Sequence, residues 1–194
     1  MNAQPDIDGS GAAGASSRAG RPNAALRPNA SFMLKHPAHL LALGLGSGLS
    51  PKAPGTVGTL WAWLSFLVLD RYLTDPAWAG LLLLGLLAGL WACTVTAQHL
   101  RLADPGAIVW DEVLAFWLVL WLVDGGFWSQ LLAFGLFRYF DAAKPGPVGW
   151  ADRLYKLRPG QPIGWRQGWG ILFDDLVAAG CTLLVMAAGS RLWN

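Results

Sequence analysis

The chain alternates between long apolar segments and short polar turns. Five segments have the composition of membrane-spanning helices: 57–72, 76–100, 107–123, 127–141 and 170–189. A bilayer core about 30 Å thick requires about 20 apolar residues in a helix, so the first and fourth segments are short for a full crossing. Short turns between apolar helices are typical of an up-and-down bundle. We therefore expect an all-α fold, a polytopic membrane helical bundle of about five antiparallel spans.

The segments before the first span differ from it in pattern. Residues 1–30 are rich in Ala, Gly, Ser, Asn and Pro. They contain too little apolar surface to offset the entropy of ordering, which predicts a disordered N-terminal tail followed by one domain over 31–194. Residues 36–50 are apolar but are interrupted by Gly44, Gly46 and Gly48. This segment is too short to span, so it predicts a short re-entrant or interfacial helix.

Composition supports a membrane protein. Charged residues make up 13% of the chain and hydrophobic residues 54%, and there are 12 tryptophans. Soluble domains have about 25% charged residues, so the deficit indicates an integral membrane protein. Cys93 and Cys181 lie in apolar segments without the spacing of metal ligands, which predicts two core residues and no zinc site.

The basic residues are distributed unevenly between the two ends of the predicted spans. If the spans alternate in direction, 12 of the 14 Lys and Arg residues lie on one side, and only Arg71 and Arg191 lie on the other. The positive-inside rule makes the first side cytoplasmic. The same side receives five carboxylates, from Asp111, Glu112, Asp141, Asp174 and Asp175.

These five carboxylates are the candidate catalytic and metal-binding residues. Oxygen ligands suit a hard cation such as Mg²⁺, and ionisable groups in membrane helices usually serve a function. The alternative for Asp111 and Glu112 is a helix cap, because acids in the first turn complement the helix dipole. Carboxylates with nearby bases at a membrane surface indicate a site that handles phosphate.

Seven further residues on this face are candidates for substrate binding: Lys52, Ser47, Ser50, Thr56, Arg138, Lys144 and His39. Each has an alternative role. The glycines and prolines around the two serines also predict a simple turn. Arg138 is three residues before Asp141, a spacing that also allows an ion pair on one helix face. His39 is either a proton carrier or an ordinary interfacial histidine.

Four motifs carry a family resemblance: HLLALGLGSGLSPKAPGTVGT at 39–59, IVWDE at 108–112, FRYFDAAKPGPVGW at 137–150 and GWGILFDDLVAAG at 168–180. Together they resemble phosphatidylglycerophosphatase A. The resemblance implies a Mg²⁺-dependent enzyme of the bacterial inner membrane, active at the cytoplasmic face, that converts phosphatidylglycerophosphate to phosphatidylglycerol. The implied partners are this lipid and the membrane, and no nucleic acid is expected.

One segment departs from the family pattern, and two other functions compete. Residues 151–168 look longer than the usual link, and their charges Lys156, Arg158 and Arg166 predict attraction to anionic lipid.

A small transporter is one alternative function. It would use carboxylates within the membrane, but segment 76–100 contains no charged residue that could continue a water-accessible path to the far side of the membrane. A CDP-alcohol phosphatidyltransferase also gathers aspartates around a metal, but its long motif of repeated Asp, Gly and Ala-Arg is absent.

Overall fold

The computed structural model describes residues 27–123, 125–157 and 161–193. The described residues form helices and connecting loops, with no strand among them. The helices are α1 (Ala30–Leu34), α2 (Pro37–Ala42), a 3₁₀ helix (Gly44–Leu49), α3 (Pro54–Leu69), α4 (Asp75–Leu100), α5 (Trp110–Leu122), α6 (Phe127–Ala143), α7 (Pro147–Leu154) and α8 (Trp165–Trp193). The predicted all-α class is confirmed.

Proline marks the start of four helices. Pro37, Pro54 and Pro147 are the first residues of α2, α3 and α7, and Pro76 is the second residue of α4. The first helical residues have no carbonyl partner for their N–H groups, so proline loses no hydrogen bond there and its fixed φ favours the helix. The local sequence, through these prolines, therefore determines where these helices begin.

Helix α5 lies at the centre of the bundle and packs against α3, α4, α6 and α8. Eight of its 13 residues are buried, among them Phe116, Trp117 and Val119. An α-helix that is apolar on all sides is stable only when it is surrounded by other helices or by lipid. Because Asp111 and Glu112 are in the first turn of this helix, they lie at one end of the core.

Tryptophan indoles connect the helices through hydrogen bonds. Trp110 Nε1 donates to the Gly85 carbonyl at 2.9 Å, and Trp117 Nε1 donates to the Ala62 carbonyl at 3.0 Å. A side chain at Gly89 would collide with the Trp110 ring, so the small residues of α4 allow α5 to approach. These tryptophans join neighbouring helices, because a buried indole requires an acceptor.

Two helices are long and apolar enough to cross a membrane, Asp75–Leu100 and the Trp165–Arg191 part of α8. Helix α3 is apolar but has 16 residues, and α5 has only 13. At 1.5 Å per residue, α5 extends about 20 Å, which is less than the bilayer core of about 30 Å. The predicted number of five membrane spans is therefore not confirmed, although a helix occupies each of the five predicted segments.

The structure describes only part of the predicted tail and of the long loop. Residues 36–50 form α2 and the 3₁₀ helix, two short elements at the predicted position. Of the predicted disordered tail, residues 1–26 lie outside the described residues, and so does Arg158 of the long loop. Helix α1 begins at Ala30 and is capped by the Asn29 side chain, which accepts a hydrogen bond from the Phe32 amide at 2.9 Å.

Candidate active site

The start of α5 is fixed by the glycine-rich segment. A side chain at Gly44, Gly48 or Gly58 would collide with or press on Val109, so these glycines allow two chain segments to surround that residue. The Val109 amide also donates to the Ala42 carbonyl at 2.9 Å. The glycine-rich segment therefore positions the first turn of α5 by close packing.

Three carboxylates meet at this end of the bundle, and we call Asp111, Glu112 and Asp175 the carboxylate cluster. One oxygen from each lies within 4.8 Å of the others. Asp111 Oδ1, Glu112 Oε2 and Asp175 Oδ2 are inaccessible to solvent and have no hydrogen-bond partner within the described part of the chain. Buried carboxylate oxygens without partners are costly unless a cation satisfies them. Their chemistry and spacing therefore fit a hard divalent cation such as Mg²⁺.

Arg138 of α6 brings positive charge to the cluster. Its Nη1 lies 3.9 Å from Glu112 Oε1 and 3.5 Å from Thr59 Oγ1, and it donates a hydrogen bond to Asp141. The charge of Asp141 acts in turn on Asp175 and Glu112. The predicted ion pair between Arg138 and Asp141 is thus present, and it joins both residues to the carboxylate cluster.

The N-terminus of α3 also faces this group. A side chain at Gly55 would collide with Glu112 Oε1 and press on both Nη atoms of Arg138, so only glycine allows this approach. No side chain caps α3, because the residue before it is Ala53. The first amides of a helix carry partial positive charge and bind anions. Thr56 lies in this same first turn.

Asp174 has different neighbours from Asp175. Its Oδ2 accepts a hydrogen bond from Lys144 Nζ at 2.6 Å, and Lys144 also donates to Asp152 Oδ1 at 2.6 Å. Lys156 binds the other oxygen of Asp152 at 2.7 Å. We call these four residues the Lys144 ion-pair group. Two adjacent residues of α8 therefore serve two distinct charged groups.

The ion pairs shift the pKa values of this group. Burial alone would lower the pKa of Lys144, but its hydrogen bonds to Asp152 and Asp174 raise that pKa above the ordinary lysine value. Burial alone would raise the pKa of Asp152, but the bonds from Lys144 and Lys156 lower it. Both residues therefore remain charged near neutral pH.

The other predicted substrate-binding residues lie in the loop before α3. Ser47 Oγ donates to the Gly44 carbonyl at 2.9 Å, and Ser50 Oγ donates to the Lys52 carbonyl at 2.8 Å. These bonds support the alternative in which the hydroxyls hold the turn. Lys52 is exposed two residues before α3. Contact of these residues with a substrate stays a prediction.

His39 belongs to a group of three histidines. Its Nδ1 lies 2.9 Å from the Phe32 carbonyl and must donate to it, so its Nε2 accepts from His99 Nδ1 at 2.7 Å. His36 lies beside both rings. Burial lowers the pKa of His39, and the neighbouring histidines lower it further against the opposing effect of the Phe32 bond. These contacts involve no residue of the carboxylate cluster.

Two residues of this region, Asp152 and Gly55, are not predicted by any sequence motif. Asp152 lies in a polar segment where a solvent-exposed role is the simplest expectation, although its position eight residues after Lys144 was visible. The local sequence around Gly55 predicts only a tight turn, and the contact of Gly55 with Glu112 and Arg138 depends on how α3 packs against α5 and α6.

The comparison with known proteins decides the family. The model of the phosphatidylglycerophosphatase A family matches residues 40–190. The chain belongs to this family. Phosphatidylglycerophosphatase A of Escherichia coli (strain K12) is 38% identical over 146 residues, which cover 75% of this chain and 78% of the relative. That of Haemophilus influenzae (strain ATCC 51907) is 36% identical over 156 residues, covering 80% and 90%.

A third relative has a different name. It is a putative phosphatidylinositol-3-phosphatase of Bacteroides thetaiotaomicron, 33% identical over 164 residues that cover 79% of this chain and 96% of the relative. No solved structure matches the chain. Membership confirms the resemblance and the predicted enzyme class, a phosphatase. The transporter and the phosphatidyltransferase receive no support from these relatives.

Proposed function

We propose that this chain is a Mg²⁺-dependent phosphatase that converts phosphatidylglycerophosphate to phosphatidylglycerol at the cytoplasmic face of the bacterial inner membrane. The observation that carries this proposal is the carboxylate cluster, whose three buried oxygens lack partners beside the guanidinium of Arg138. Two of the relatives reported above are named for the same reaction, which supports this lipid as the substrate.

The reaction is hydrolysis of a phosphate monoester. Asp111, Glu112 and Asp175 would hold Mg²⁺, which when bound supplies a Lewis acid that neutralises phosphoryl oxygens. Arg138 and the first amides of α3 lie beside the cluster and would bind the remaining phosphoryl oxygens. A carboxylate oxygen of this region would accept the proton of the attacking water as its oxygen bonds to phosphorus, and the glycerol oxygen would take up a proton as its bond to phosphorus breaks. The products are inorganic phosphate and the glycerol hydroxyl of the lipid.

The predicted roles of Asp141 and Asp174 differ after this assignment. Asp141 acts as the partner that orients Arg138, because the two side chains form an ion pair. Asp174 orients Lys144, which brings a further positive charge near the phosphate-handling end of the bundle. Both residues therefore support the site by holding a basic side chain in place, and their contacts favour this role over direct binding of the metal.

The membrane arrangement is part of the same proposal. Helix α4 and the apolar part of α8 are long enough to cross, and α3, α5 and α6 would complete five spans by local thinning of the bilayer. The distribution of 12 basic residues against two supports a cytoplasmic site, because basic residues remain on that side of the membrane.

The test is phosphate release by the purified chain in detergent–lipid micelles. Phosphatidylglycerophosphate, phosphatidic acid and phosphatidylinositol 3-phosphate would each be supplied with Mg²⁺ or with EDTA. We expect release from phosphatidylglycerophosphate that requires Mg²⁺ and is lost in Asp111→Asn. Absence of release from this lipid by folded protein would refute the proposal, and faster release from the inositol lipid would transfer it to the substrate class named for the third relative.

A further inference from the structure

A cavity outside the carboxylate cluster lies between the 3₁₀ helix, the start of α3 and the loop after α4. Its volume is about 290 Å³. We call it the loop cavity, and residues that define it include Arg27, Gly48, Ser50, Pro54, Leu102 and Ala107. Among the described residues that line it, Arg27 is the only charged one, and none is a carboxylate. The loop cavity therefore attracts anions.

The loop cavity adjoins the carboxylate cluster through two short chain connections. Pro54 lines the cavity, and the next residue, Gly55, is the one whose side chain would collide with Glu112 Oε1. Consecutive Cα atoms are about 3.8 Å apart, so this connection is short. Ala107 lines the cavity four residues before Asp111. The loop cavity and the carboxylate cluster therefore share the start of α3.

The lipid of the proposed reaction has a matching shape. It carries two phosphates on one glycerol: a terminal monoester that is removed, and a diester that joins the glycerol to the diacylglycerol. We infer that the loop cavity binds the glycerol and the phosphodiester, with Arg27 as the partner of the diester charge. This inference rests on the proposed function and identifies Arg27 as a residue that selects substrates with a second phosphate.

Two other cavities fit a glycerol phosphodiester less well. One of about 70 Å³ is lined by Lys156 and by three acids, Asp104, Asp152 and Asp174, so the carboxylates outnumber the base and disfavour a phosphodiester. The other, about 170 Å³, is lined by six leucines, which offer no polar partner. Only the loop cavity among these three combines space, a cation and proximity to the cluster without an opposing acid.

The experiment compares two soluble inhibitors of phosphate release from phosphatidylglycerophosphate. Glycerol 1,3-bisphosphate carries both phosphates, whereas glycerol 1-phosphate carries only one. We expect the bisphosphate to inhibit the wild-type protein about tenfold more strongly, the size of one hydrogen-bonded ion contact. Arg27→Gln should reduce this ratio to near one and raise KM for the lipid with little change in kcat.

Arg153→Gln is the matched control, because Arg153 is an exposed base on α7 that does not line the cavity. It should keep the wild-type inhibitor ratio. A second variant, Gly106→Phe, places a ring at the cavity wall, where an added Cβ meets no atom within 4 Å. It should also lower the ratio, whereas Gly126→Phe, in the exposed turn before α6, should not.

The outcomes separate this inference from the proposed function. Absence of lipid hydrolysis by the wild-type protein would refute the proposed function itself. An active wild-type protein with a ratio near one, or a ratio that survives both Arg27→Gln and Gly106→Phe, would overturn the loop cavity alone. A parallel loss of lipid affinity in Arg27→Gln and Arg153→Gln, with the inhibitor ratio unchanged, would also overturn it and indicate general attraction to anionic surfaces.

Discussion

Replacing Asp175 with asparagine should stabilise the protein without metal and destabilise it with metal, relative to the wild type under the same conditions. The three carboxylates of the cluster offer oxygens within 4.8 Å of one another. At an effective dielectric constant of 20, two ionised groups at this distance repel by about 3.5 kcal/mol. Arg138 offsets part of this repulsion, so we expect Asp175→Asn to gain about 2 kcal/mol in EDTA.

Bound Mg²⁺ should reverse the order of stability of Asp175→Asn and the wild type. At a Mg²⁺ concentration about 100 times its Kd, binding stabilises a protein by about 2.7 kcal/mol. Asp175→Asn removes one of three ligands and should lose nearly all of this gain, which leaves it about 0.7 kcal/mol less stable than the wild type in Mg²⁺. The assay is thermal unfolding in one detergent, with Mg²⁺ and with EDTA. For a chain of this size, 1 kcal/mol corresponds to about 2–4 °C in Tm.

The neighbouring variant Asp174→Asn is the control. It breaks the ion pair with Lys144 and should destabilise the protein in both buffers by about 1–3 kcal/mol. Its Mg²⁺-dependent shift in Tm should persist, because its contacts lie in the Lys144 ion-pair group. If Asp175→Asn instead lowers Tm in EDTA as Asp174→Asn does, or keeps the full Mg²⁺ shift, the assignment of the carboxylate cluster as the metal site is wrong.

Three further predictions concern other contacts. Gly55→Ala should lower kcat/KM at least about tenfold, the effect of 1.4 kcal/mol, with little change in Tm, because the methyl group displaces the flexible end of Glu112; unchanged activity would contradict this. Asp152→Asn should lower Tm while Asp152→Glu restores it, since the charge of Asp152 pairs with both Lys144 and Lys156. The lowered pKa of His39 means that the unfolded chain protonates first, so Tm should fall as pH drops below about 6.5, and less steeply in His39→Gln.

Local pattern was sufficient to predict the five apolar helices, but not α7, which lies where the polar composition predicts a loop. Each of the five apolar segments contains a helix, and the prolines and glycines between them lie at helix ends. Helix length was less predictable from composition. The segment over 107–123 begins its helix only at Trp110, because the preceding residues form a loop that is held by the glycines around Val109. The number of spans depends on such tertiary details.

The site was predicted in part. Alternation of the helices implied that residues near the start of α5 and in α8 would meet, and the structure brings Asp111, Glu112 and Asp175 together. The sequence alone could not distinguish Asp174 from Asp175, because the contact of each depends on the rotation of α8 about its axis. Ser47 and Ser50 had the right chemistry for a substrate, but a hydroxyl within reach of a loop carbonyl satisfies itself locally.

The two adjacent aspartates of α8 have a physical consequence for the whole site. Successive residues of an α-helix differ by about 100° in direction, so Asp175 joins the carboxylate cluster while Asp174 contacts Lys144. Both side chains are fixed to one rigid helix, and a rotation of α8 that improves one contact must disturb the other. The packing of α8 against α4, α5, α6 and α7 sets this orientation and the Lys144 ion pair adds to it, so loss of the ion pair costs stability while Asp175 stays at the cluster.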